Sequence, residues 1–359
     1  MKRLIAAASA AALVFTVAPA SAQSEPVKIA HVYGKTGALE AYGKQSHIGL
    51  MMGLEYATDG TMEIDGRKIE VLEKDTQGKP DVGKAALAEA YGDDEVDLAV
   101  GPVSSGVALA MLPVAQEYEK ILIVEPAVAD SITGANRNRY IFRTGRNSSQ
   151  DAIANAVALG GENVKIATLA QDYAFGRDFD ALKDEDGRKF LFVIWAGGNN
   201  PIGKIKAMAP ERFDIEIATG GNILAAMAAY KDLPGMEGAT YYYHEIPKNP
   251  INDWLVSEHE KRYGQPPDFF TAGGMAAGLA IVEAIKATGG STETDDLIAA
   301  MEGMEFETPK GKMVFRKEDH QALQSMYHFK IRVEDDVAWG IPELVRELKI
   351  EDMDIPVRD

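Results

Sequence analysis

The chain has 359 residues, no cysteine, and a formal net charge of −18 from 55 acidic and 37 basic side chains. Such an acidic surface repels phosphate backbones, which sets nucleic acid aside. The absence of cysteine excludes thiolate metal sites and cysteine nucleophiles. Residues 1–22 read as a secretory signal: Lys2 and Arg3 are positive, Ile5 to Ala18 is apolar, and Ala20-Ser21-Ala22 is a small-residue cleavage pattern before Gln23. The expected mature chain, from Gln23, is long enough for two domains. It opens on a strand at Val27–Val32, then a helix near Leu39–Tyr56, a strand at Lys68–Lys74 and a helix at Val82–Tyr91. A strand at Asp97–Val100, a helix at Gly106–Tyr118 and a strand at Ile121–Val124 follow. This βαβα alternation implies a parallel sheet covered by helices on both faces.

A second block begins around Tyr140–Gly145. Its expected elements are a helix at Asp151–Leu159 and strands at Lys165–Leu169, Phe190–Ile194, Ile215–Ala218 and Tyr241–Tyr243. Helices are expected at Asn252–Tyr263, Ala272–Ala287 and Thr294–Met301, with Gln265-Pro-Pro-Asp268 as a break. The tail reads as strands at Met313–Phe315 and Met326–Val333 and a short helix near Pro342–Leu348.

Polar and glycine-rich segments cluster just after the strands. Tyr33–Gly37, Gly101–Gly106 and Pro126–Ala129 do so in the first block; Gln171–Tyr173, Gly197–Asn200 and Thr219–Asn222 in the second. Open parallel sheets bind ligands at the carboxyl ends of their strands, so two blocks can face one cleft. Ser104 and Ser105 stand at a helix start, where free backbone N–H groups and the dipole favour an anion; capping is the plain alternative use of one serine. Tyr33, Tyr42, Tyr173 and Phe175 can wall an apolar ligand or simply pack in a core.

Catalytic signatures are missing from the sequence. Gly34-Lys35-Thr36 lacks the upstream glycine of a phosphate loop, and His244-Glu245 lacks the second histidine of a zincin. Asp184–Gly187 is a turn rather than a full calcium loop. There is no Gly-x-Ser-x-Gly elbow. No cofactor is implied, and an enzyme is the weakest reading.

Several segments together resemble the branched-chain amino-acid (Leu/Ile/Val) binding type of periplasmic binding protein. They are the Tyr42-Gly43 helix start, Gly101–Gly106, Glu125–Ala129 running to Thr133, Arg143-Thr-Gly145, Asp172–Gly176 and Pro266–Ala272. The match is nearest to members that bind aromatic acids. The resemblance implies an α/β fold of two Rossmann-like lobes joined by three crossovers, near Thr144, Pro247–Asp268 and His328–Val333. Lobe 1 would hold residues 23–144 and 269–328, and lobe 2 residues 145–268 and 329–359. It also implies a periplasmic, monomeric, non-enzymatic protein that delivers a small carboxylate to ABC permease subunits in the inner membrane.

By the same resemblance, Ser105 with its backbone N–H meets the ligand carboxylate, Ala127 offers backbone groups, and Tyr42 and Phe175 wall the cleft. Ser104, Tyr173, Asn199 and Asn222 are neighbouring ligand-binding candidates. Ala129 and Gly221 stand where amino-acid binders of this type carry Thr and Glu for the ligand's ammonium group. The sequence departs from the family pattern between Asp178 and Phe190, where about one βα repeat is missing, so the second lobe is expected to be short. Three readings follow: a carrier of an aromatic carboxylate lacking an α-ammonium, a carrier of a branched-chain amino acid, and a ligand sensor for a signalling partner.

Overall fold

Runs rich in apolar residues such as Ile29–Val32 and Ile121–Val124 suit strands buried on both faces, and that is how the chain uses them. The computed structural model describes residues 25–170, 188–196 and 200–358. The strands β1 (Val27–Tyr33), β2 (Glu63–Ile64), β3 (Arg67–Asp75), β4 (Leu98–Val100), β5 (Ile121–Val124) and β6 (Ile141–Arg143) form one sheet in the order β2-β3-β1-β4-β5-β6. All pairings are parallel except the β2–β3 hairpin.

Alternate side chains of β1 feed two cores. Val27 and Ile29 join Leu50 and Leu54 of α1 (Glu40–Ala57) and the small-residue face of a long later helix. Ala30 and Val32 join α2 (Pro80–Gly92) and α3 (Ser105–Glu117) on the other face.

After β6 the chain forms α4 (Ser148–Leu159), then a smaller parallel sheet of β7 (Val164–Ala170), β8 (Arg188–Ile194) and β9 (Ile215–Thr219). The short helices α5 (Ile202–Ala207) and α6 (Leu224–Met227) belong to this second body. β10 (Glu237–Thr240) opens an antiparallel sheet completed by two late strands, β14 (Met326–Arg332) and β15 (Ile341–Leu348). Between them, α7 (Pro250–Tyr263), α8 (Phe269–Ala287) and α9 (Thr294–Met301) lead to the sheet β11 (Glu305–Thr308), β12 (Gly311–Phe315) and β13 (Ala322–Leu323). Phe306, Met313, Phe315 and Ala322 of that small sheet pack into the core of the first body.

Three differences from the sequence reading have physical causes. The tyrosine run is not a strand: β10 ends at Thr240, and the three aromatic rings that suggested β structure are buried in the loop beyond it. Residues 342–348, rich in helix formers, are the strand β15, because antiparallel pairing with β14 overrides local propensity. β15 is an edge strand, where Pro342 is tolerated. Helix α8 starts three residues early, since Asp268 caps it by accepting from the Phe269 N–H at 2.7 Å and shares a capping box with Thr271.

The chain passes between the two bodies at Thr144–Asn147, again after β10, and at Gln324–Ser325, ahead of His328. Helix α7 packs on the first body, through Trp254 against Tyr56 and a paired Arg262–Glu55 contact. Glycines let α1 and α8 approach closely; a Cβ on Gly49 would lie 2.0 Å from the Thr271 carbonyl oxygen. That contact fixes the N-terminal turns of both helices, which carry Tyr42, Phe269 and Phe270.

Candidate functional site

The carboxyl ends of β5, β6, β8, β9 and β10 converge with the first turns of α1 and α8 on two adjoining cavities. The larger, about 70 Å³, lies among Arg146, Asp151, Trp195, Gly221, Asn222 and Tyr241. The smaller, about 40 Å³, lies among Leu39, Val103, Ser105, Pro126 and Val128. Tyr42, Arg146, Ala196 and Phe270 line both. At roughly 10–15 Å³ per water, the two spaces together suit a small molecule.

Arg146 is the cation at the junction. It follows β6, is 8% exposed, and its Nε donates to Asp151 Oδ1 at 2.8 Å. That is its one hydrogen bond among the described residues, so the terminal nitrogens are available to a ligand. The guanidinium lies 4.9 Å from the Phe269 ring centroid, 5.4 Å from Tyr241 and 5.9 Å from Phe270. Such faces stabilise a cation that has been taken out of water. Asp151 is half-buried beside it; desolvation pushes its carboxyl above the ordinary range, and Arg146 opposes that shift.

Ser105 is the first residue of α3 and is buried. Its Oγ accepts from the backbone N–H of Val128 at 3.3 Å and of Ala129 at 3.2 Å. With its oxygen engaged, its own proton is left to donate toward the smaller cavity. Ser104 is the half-buried cap position, makes no side-chain cap bond, and does not line either cavity.

Ala127 and Ala129 are buried beneath the loop, in the core against α3. The Ala127 N–H donates to the Pro102 carbonyl at 3.2 Å, and the Ala129 carbonyl accepts from Arg143 Nη1 at 2.7 Å. Neither alanine lines the cavities.

Across the cleft, Tyr42 Oη donates to Asn222 Oδ1 at 3.2 Å, joining the first body to the second. Asn222 is held by its own bonds to the Trp195 carbonyl and the Ile223 N–H. Gly221 lines the larger cavity but has no room for a side chain: a Cβ there would sit 1.8 Å from Thr240 Oγ1. Of the expected site residues, Tyr42, Ser105, Gly221 and Asn222 thus come together, while Tyr173, Phe175 and Asn199 lie outside the described residues. Arg146, Asp151, Trp195, Tyr241, Phe269 and Phe270 were not expected. The signal for Arg146 was available, because it follows the apolar run Ile141-Phe142 as the other cleft residues follow their strands.

The family model for periplasmic binding proteins matches residues 26–183 and 204–336. The chain belongs to the periplasmic binding protein family. The break between the matched stretches covers residues 184–203.

Among solved structures, an ABC-type branched-chain amino acid transporter protein from Rhodopseudomonas palustris CGA009 is 63% identical. The match has a TM-score of 0.86 and covers 93% of this chain and 99% of that one. A solute-binding protein of an ABC transporter from Rhodopseudomonas palustris BisB5, in complex with 3,4-dihydroxybenzoic acid, is 26% identical. Its TM-score is 0.76, over 92% of this chain and 99% of that one. A Leu/Ile/Val-binding protein homolog of Brucella melitensis is 24% identical over 90% of this chain and 92% of its own length.

Proposed function

We propose that this protein is the periplasmic substrate-binding component of an ABC importer and that it captures a small aromatic carboxylate lacking an α-ammonium group. The observation that carries this reading is Arg146, a buried guanidinium with free terminal nitrogens at the junction of two aromatic-walled cavities. A carboxylate there gains charge-assisted hydrogen bonds from Arg146 and a further donor in Ser105. The ligand's apolar body would lie among Tyr42, Trp195 and Phe270.

An ammonium group would need an anion in the same space. Position 221 is closed by Thr240, and Asp151, the one carboxylate lining the cavities among the described residues, already balances the charge of Arg146 through Oδ1, so an ammonium would have to share it. A buried charge without a partner costs several kcal/mol, so an amino acid should be rejected.

The name of the 63% identical relative favours a branched-chain amino acid instead. A thermal-shift panel of benzoates, cinnamates, leucine and valine separates the two readings. An aromatic acid at a hundredfold its Kd should stabilise the protein by about 2.7 kcal/mol, a readily measured shift. A shift with leucine or valine, and none with any aromatic acid, would overturn the proposal.

A further inference from the structure

Behind the cavity wall lies a carboxyl group that the binding scheme does not use. Glu125 directly follows β5 and is 1% exposed. Its side chain makes one hydrogen bond among the described residues, from Thr144 Oγ1 at a long 3.3 Å, and no ion pair. Helix α8 is pressed onto it: a Cβ on Gly273 would lie 2.1 Å from Glu125 Oε1 and 2.9 Å from Tyr241 Oη, a hydroxyl that itself has no hydrogen-bond partner among the described residues.

The charged and titratable groups facing Glu125 are few. Arg146 approaches from beyond β6, Arg143 from within β6, Lys310 from the β11–β12 turn, and Tyr241 from the loop after β10; from α8, Gly273 lies against the carboxyl. Arg143 is engaged by Gln321, Ala129 and Thr133. Lys310 is held by Gln324 and Ser325. Arg146 is the one of these three cations that lines the cavities, so its field reaches both Glu125 and a bound ligand.

We infer that binding of an anionic ligand at Arg146 draws a proton from the buffer onto the Glu125 carboxyl. The inference rests on the carboxylate reading above. Asp151 already occupies one edge of the guanidinium, and a ligand carboxylate would occupy the other. Glu125, buried and with little hydrogen bonding of its own, then shares the field of a guanidinium that two other anions already neutralise. Like charges cannot all persist there, and the least solvated group is the one that protonates. Burial already pushes Glu125 up to about 7, so a modest extra push moves it through neutral pH.

Because the bound state holds more protons than the free state, affinity should fall as pH rises through neutrality. Typical coupling between two sites corresponds to about 5–150-fold, so benzoate should bind at least about fivefold more weakly at pH 8.5 than at pH 6.

The test is titration calorimetry with benzoate, whose carboxyl stays ionised over this range, at pH 7 in buffers of different ionisation enthalpy. The wild type should take up a substantial fraction of one proton. Glu125→Gln should bind benzoate with no proton uptake and with a flat pH profile. Benzoate binding to the wild type without proton exchange would overturn the inference while leaving the carboxylate reading intact. Uptake that persists in Glu125→Gln would also overturn it, by moving the proton elsewhere. If the variant fails to fold, the wild-type proton count and pH profile still decide. A failure of the wild type to bind benzoate or any other aromatic acid would instead strike the parent reading.

Discussion

Replacing Ser105 with alanine separates its two structural roles. In the folded protein its oxygen accepts two backbone N–H groups, from Val128 and Ala129, at 3.3 and 3.2 Å. Both bonds are buried, and alanine leaves both donors unsatisfied. Each such loss costs about 1–3 kcal/mol. Bonds this long belong at the low end, so urea unfolding of the free protein should report a loss of about 2 kcal/mol.

The second role is donation of the serine proton to the ligand. A hydrogen bond to a charged carboxylate contributes about 1.5–3 kcal/mol. Calorimetry with an aromatic acid should therefore show Kd raised roughly 10- to 150-fold. If stability falls as expected while Kd stays the same, Ser105 is only a prop for the 127–129 loop, and the carboxylate binds elsewhere.

Other perturbations probe the remaining parts of the account. Gly221→Ala should destabilise by about 1–3 kcal/mol through overpacking against Thr240, and Thr240→Gly should recover part of that loss in a double-mutant cycle. Glu125, raised from 4.5 to about 7 by burial, binds a proton more tightly folded than unfolded; its contribution to stability falls as pH rises from about 4.5 to 7 and stays low above that. Glu125→Gln should thus match the wild type near pH 5 and exceed it near pH 8 by up to about 3 kcal/mol in urea unfolding. Ligand that touches both bodies should favour their closure, so small-angle scattering should report a smaller radius of gyration at saturating aromatic acid than without it.

Much of this was legible in the sequence because parallel sheets leave a plain record. Apolar runs gave the strands of the first body, and the polar residues just beyond them led to Ser105, Tyr42 and Asn222. The same rule would have reached Arg146 had the short run Ile141-Phe142 been read as a strand rather than as the start of the second block. Tyr241 was hidden because an aromatic run suits β structure equally well; only the pairing of β10 with β14 shows that the strand stops before it. Phe269 and Phe270, quoted only as part of the Pro266–Ala272 segment, were not seen as site residues because the Asp268 cap starts α8 directly after the Pro-Pro break, three residues before the expected start. The closed space at Gly221 could not be read at all, since it depends on Thr240 from the neighbouring strand.

The most direct measurement is titration calorimetry of ligand-stripped protein against 3,4-dihydroxybenzoate, benzoate, leucine and valine, with Arg146→Met alongside the wild type. The expected result is saturable binding of at least one aromatic acid, no heat from leucine or valine, and loss of the aromatic-acid signal in Arg146→Met. Saturable binding of leucine or valine with no response to any aromatic acid would contradict the account.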